Sequence, residues 1–98
     1  MHRTLDDINL VAPEHLTKQS KETFNRIIDN WKFLSIPDAI NRCDLQIQQA
    51  EVHIYCCHEN LKYYPSKREK AMSLVCIRIL KKDIKVYNLF KTLLEKAL

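Results

Sequence analysis

Two stretches on either side of Pro65 repeat apolar side chains at alternating three- and four-residue steps, and no other feature restricts the fold so sharply. In the first, Ile40, Cys43, Ile47, Ala50, Ile54, Cys57, Leu61 and Tyr64 fall in line; in the second, Met72, Cys76, Ile79, Asp83, Val86, Phe90, Leu93 and Ala97 do so. A 3.5-residue period places each set along one side of an α-helix. Joined by a tight turn near Tyr64 and Pro65, the two stripes predict an antiparallel hairpin of helices over about 37–63 and 66–97. That pairing sets Cys57 near Met72, Ile54 near Cys76 and Ile47 near Asp83.

Start and stop signals agree with this division. Ser66-Lys67-Arg68-Glu69 has the S-x-x-E spacing of a capping box, in which the serine hydroxyl and the glutamate each satisfy an unpaired backbone donor. Ser35 caps the helix before it, where Pro37 lacks an N–H that a first turn leaves unpaired and Asp38 complements the positive end of the helix dipole. Upstream, Leu16, Phe24, Ile27, Trp31 and Leu34 outline a helix over about 13–34, with Pro13 in its first turn. Thr4 and Asp7 suggest a short helix over about 4–11. The expectation is one all-α domain over 1–98, a three-helix bundle whose first long helix covers the hairpin.

Composition supports the class. The 98 residues contain no glycine, so hairpin turns and bulges of an all-β fold lack their usual residue, and no Gly-rich loop can cradle a nucleotide phosphate. The longest apolar run, Leu74 to Leu80, is broken by Arg78 and falls far short of the roughly 18 residues of a membrane span. The N-terminus shows no apolar signal segment. Cys43, Cys56, Cys57 and Cys76 are therefore read as reduced thiols of a cytoplasmic protein.

Chemistry-bearing clusters are sparse. His53, Cys57 and Cys76 could offer soft ligands to zinc, but no C-x-x-C pair accompanies them, and Cys43, Cys57 and Cys76 occupy positions that suit small core residues. Cys57 and His58 point about 100° apart on a helix and cannot act as a nucleophile–base pair. Asp6 and Asp7 sit in a first turn, where acids serve the dipole. No cofactor, metal or catalytic residue is expected, and the chain is read as non-enzymatic.

Asp83 alone breaks the apolar rule of its stripe. A carboxylate there needs a partner or a water path, and it is read as a structural polar layer fixing register, paired with Arg42 or the Trp31 indole N–H.

Two surfaces remain as functional candidates. Leu45, Val52 and Cys56 run along the side of the middle helix opposite its seam, while Leu74, Ile77 and Ile84 lie off the seam of the last helix. With Tyr63 and Tyr64 they form a candidate protein-docking surface, for another protein or for a second copy of the chain. The other surface is electrostatic. Residues 1–60 hold six Lys/Arg against nine Asp/Glu, residues 61–98 ten against three. Lys67, Lys70, Arg78, Lys81, Lys85 and Lys96 form a ridge whose first five members span about 27 Å at 1.5 Å per residue, suited to an acidic partner or a nucleic-acid backbone. The leading expectation is a small regulator, inhibitor or chaperone-like adaptor that docks a helical surface on another protein. Sequence-indifferent nucleic-acid binding by the ridge is the alternative, and no membrane partner is expected because the helix's apolar face is committed to the hairpin.

Overall fold

The computed structural model describes residues 3–63 and 66–98. One 3-10 turn, Leu5–Asp7, precedes three α-helices: α1 (Lys18–Trp31), α2 (Ile36–Tyr63) and α3 (Lys67–Lys96). The chain is all-α, built on a long α2–α3 hairpin with α1 and a short N-terminal element packed against it. The turn expected at Tyr64 and Pro65 lies outside the described residues.

Local chemistry sets the boundaries. Ser66 Oγ accepts from the Glu69 backbone N–H at 3.2 Å, and Ser35 Oγ accepts from Asp38 N–H at 3.3 Å, so both long helices begin on a serine cap. The first helix starts later than Pro13 suggests. Thr17 is its cap, with its side chain accepting from Ser20 N–H at 3.2 Å, while the Pro13 carbonyl accepts from Leu16 N–H in a separate turn. The helix expected over 4–11 shrinks to a single 3-10 turn, held by Thr4 N–H donating to the Asp7 carboxylate at 2.9 Å. That segment is pinned across the α1–α2 connection instead: Leu5 N–H donates to Leu34 C=O, Asp6 N–H to Lys32 C=O and Ile36 N–H to Arg3 C=O. Extended pairing there satisfies backbone groups that a longer helix would have satisfied internally.

The antiparallel register of α2 and α3 follows from their cross-contacts. Lys91 Nζ reaches Asp44 Oδ1 at 2.6 Å near one end, Leu80 and Asp83 lie beside Ala50 in the middle, and Asn60 lies beside Met72 and Ser73 near the other end. Asp83, expected opposite Ile47, shares its surroundings with Gln46, Gln49, Ala50 and His53. On α2 the expected stripe faces inward: Cys43, Ala50 and Cys57 are buried, and Ile40, Ile47, Ile54 and Leu61 are half-buried.

On α3 the expected seam needs correction. Ile77, read as a surface residue, is 6% exposed and packs in the hairpin, and Ile84 is half-buried. The side toward α2 runs through Ser73, Ile77, Leu80, Ile84 and Tyr87, one residue away from the stripe read as the seam. The stripe of Met72, Cys76, Ile79, Asp83, Val86 and Phe90 is a second apolar face, and its lower part belongs to α1. Phe24 meets Phe90 at a centroid distance of 5.0 Å, and Trp31 lies 5.9 Å from both Tyr87 and Phe90.

The core sits at the end of the hairpin that holds the α2 N-terminus and the α3 C-terminus. Leu5, Phe24, Ile27, Trp31, Ile36, Ala39, Cys43, Val86, Phe90 and Leu94 form one buried cluster there. Each of its large side chains contributes about 1.5–3 kcal/mol by leaving water. With 14 residues, α1 is about 21 Å long, whereas the 28 and 30 residues of α2 and α3 give about 42 and 45 Å. The cover is therefore partial, and the molecule is elongated, 53 × 25 × 19 Å.

Candidate functional site

Beyond the reach of α1, the hairpin presents apolar side chains to solvent. Met72, Val75 and Ile79 are 60%, 51% and 44% exposed, and Cys76 is exposed among them. Their spacing of i, i+3, i+4 and i+7 puts all four on one side of α3, the same side that carries Val86 and Phe90 into the core. Spacing alone assigns three of the four, Met72, Cys76 and Ile79, to the hairpin seam; in the structure they are surface residues. Arg68, four residues before Met72, and Lys82, three after Ile79, are exposed at the two ends of the stripe.

Next to this stripe, α2 contributes a polar wall. Gln46, Gln49, Ala50 and His53 face Leu80, Asp83 and Tyr87 across a groove of about 210 Å³. Asp83 is half-buried, and burial raises its carboxyl above the ordinary range, while Arg26 of α1 partly opposes that shift. Among the described residues it makes no hydrogen bond or ion pair, so neither Arg42 nor the Trp31 indole is its partner. Tyr87, on the same groove, is also shifted upward, first by burial and then by Asp83.

The sequence-derived docking residues are dispersed. Leu45, Val52, Cys56 and Tyr63 are exposed along the outer side of α2, where Tyr55 joins them. Leu74 is exposed on the far side of α3, in line with Arg78 and Lys81. Tyr64 lies outside the described residues, and Ile77 and Ile84 belong to the hairpin interior. Met72, Val75, Cys76 and Ile79 were missed as surface residues because an apolar stripe looks the same whether or not another helix covers it.

All six ridge cations, Lys67, Lys70, Arg78, Lys81, Lys85 and Lys96, are exposed, and among the described residues none makes an ion pair. Lys82 and Lys85 flank a hollow of about 240 Å³ with His15, Thr17 and Ser20 at the start of α1. Lys91, by contrast, is engaged with Asp44, whose hydrogen bond holds the ammonium above its ordinary pKa.

The cysteines divide by environment. Cys43 is fully buried, and desolvation, aided by Asp44, pushes its thiol up to about 12. Burial also raises Cys57, with Cys76 and Cys56 adding to the shift. Both thiols stay protonated at neutral pH, which disfavours nucleophilic or metal-ligand chemistry. Among the described residues no three His, Cys, Asp or Glu side chains are grouped to hold a metal ion. Among the described residues no helix is long and apolar enough to cross a membrane.

Comparison with protein-family models, with curated proteins and with solved structures gave no match.

Proposed function

We propose that the chain is a small non-enzymatic protein–protein interaction module, of the regulator, inhibitor or chaperone-like adaptor kind, that docks the uncovered half of its hairpin on a partner protein. The observation carrying this reading is the exposure of Met72, Val75, Cys76 and Ile79 on the α3 face that α1 buries lower down. Single exposed apolar residues are ordinary on any protein surface. A contiguous stripe is not, and methionine, here Met72, is enriched at interface centres. Four free cysteines, with Cys43 and Cys57 buried where they serve packing, suit a reducing, cytoplasmic setting.

Affinity capture from the source cells tests the reading with three baits: the native chain, Met72→Asp with Ile79→Asp on α3, and Val52→Asp with Tyr55→Asp on α2. The reading expects a protein retained by the native chain and lost with one of the variant pairs. Capture indifferent to both pairs would remove it.

A second reading, sequence-indifferent nucleic-acid binding, is supported by the six exposed, unpaired ridge cations. A gel shift with random duplex DNA at low salt, abolished by Lys81→Glu with Lys85→Glu, would support it; absence of any shift would sink it.

A further inference from the structure

We propose that Cys76 is an oxidative modification site, and that Cys57, facing it from α2, resolves the oxidised sulfur into an inter-helix disulfide across the uncovered half of the hairpin. The proposal is independent of the docking reading.

Register brings the two thiols together. On α2, Cys57 lies four residues after His53 and three before Asn60; on α3, Cys76 lies three residues after Ser73 and four before Leu80. His53 shares a groove with Leu80, and Asn60 shares another with Met72 and Ser73. Residues three and four apart lie on one helix face, so Cys57 and Cys76 occupy the same level and the same edge of the α2–α3 contact. Ala50 and Cys57, the buried α2 residues of this half, are both small, which lets the helices approach closely. Helix axes packed about 8–10 Å apart, with Cα atoms about 2.3 Å from each axis, bring facing Cα atoms to about 5–7 Å, the span a disulfide bridges. Electrostatics agrees. Burial raises the Cys57 thiol first, and Cys76 across the hairpin then raises it more than Cys56, the adjacent residue in the chain.

The two environments divide the chemistry. Cys76 is exposed and meets a dissolved peroxide, whereas Cys57 is buried and stays protonated through the first step. The Cys76 sulfur attacks one peroxide oxygen and the O–O bond breaks. Cys76 becomes a sulfenic acid, and its thiol proton leaves with the displaced hydroxide as water. The Cys57 sulfur then attacks the Cys76 sulfur: the S–S bond forms, the S–O bond breaks, and the Cys57 proton leaves with that hydroxide as a second water. Two thiols lose two electrons in all, and the peroxide gains them.

The other thiols do not compete. Cys56 points about 100° away from Cys57, and adjacent Cα atoms are about 3.8 Å apart, shorter than the roughly 4.4 Å at which disulfides begin. Cys43 is buried in the core, about 21 Å along α2 from Cys57. The bridge closes a loop of about 20 residues on the half of the hairpin whose interior rests on Ala50, Cys57 and Ile77. In a reducing compartment it is transient, the form in which disulfides serve redox sensing there.

The test treats the reduced full chain with hydrogen peroxide and maps the products by non-reducing digestion and mass spectrometry. The expected product is a monomeric chain linked from Cys57 to Cys76, retained in Cys56→Ser, absent from Cys57→Ala and returned to thiols by dithiothreitol. Alanine keeps the Cys57 site small and apolar, so in that variant Cys76 should stop at sulfenic acid and give several-fold more dimedone adduct than the native chain. Bridging through Cys56, disulfides formed only between chains, or a native chain in which Cys76 resists peroxide or stops at sulfenic or sulfinic acid would overturn the proposal. So would equal dimedone labelling of Cys76 in the native chain and Cys57→Ala.

Discussion

Asp83 stands at the upper edge of the α1 footprint, with its carboxylate half-buried and its pKa raised by desolvation. A raised folded-state pKa means that the native chain binds this proton more tightly than the unfolded chain does. Its contribution to stability is therefore greatest at low pH and is lost as pH rises from near the ordinary value of 3.8 through the folded-state value. Urea midpoints across that range should show Asp83→Asn to be more stable than the native chain at neutral pH, with the difference shrinking in acid. Equal stability at both ends would show that the carboxylate is free of desolvation cost. Elsewhere, single residues act by packing or capping. Phe90, fully buried against Phe24 and Trp31, should cost about 3–5 kcal/mol on replacement by alanine, and Ser66→Ala about 1 kcal/mol through loss of the α3 cap, both read from denaturant melts. The thiols offer a reagent-based check: alkylation of the native chain followed by mass spectrometry should modify Cys56 and Cys76 rapidly and reach Cys43 and Cys57 only on unfolding.

At the scale of elements, the hairpin has two unlike halves. The buried cluster is confined to the half that α1 covers, whereas the interior of the other half rests on Ala50, Cys57 and Ile77. Hydrogen exchange should accordingly be slower over 24–31 and 86–94 than over 52–62 and 68–78, with uniform protection along α2 and α3 contradicting the division. The helices themselves were largely legible in the sequence. Ser35, Ser66 and Pro37 mark helix starts by local chemistry, and α2 has one dominant apolar stripe, so its inward side could be read from period alone. On α3 the period was ambiguous because two apolar faces share one helix. Ile77, Leu80 and Ile84 point to α2, while Val86 and Phe90 point to α1; the stripe continuous with the latter was read as the seam, which exchanged the roles of Ile77 and Ile79. The start of α1 differs from the expectation for a simpler reason: Pro13 and Thr17 are both acceptable starts, and in the structure Pro13 closes a separate turn with Leu16 while the Thr17 side chain caps the helix.

At the scale of the whole molecule, length mismatch is what turns a helical bundle into a binding surface. A cover of about 21 Å on a hairpin of about 45 Å leaves one end of the bundle complete and, at the other, Met72, Val75, Cys76 and Ile79 exposed to solvent. The candidate surface was only partly legible for that reason. Leu45, Val52, Cys56, Tyr63 and Leu74 could be named from spacing, but whether α1 reaches Met72 and Ile79 depends on where its cap falls. Hydrogen exchange of the full chain, alone and bound to the partner recovered by capture, tests this directly. Slowed exchange centred on residues 68–82, with 24–31 and 86–94 unchanged, is the predicted footprint; slowing confined to α1 or to the outer side of α2, with 68–82 unaffected, would contradict it.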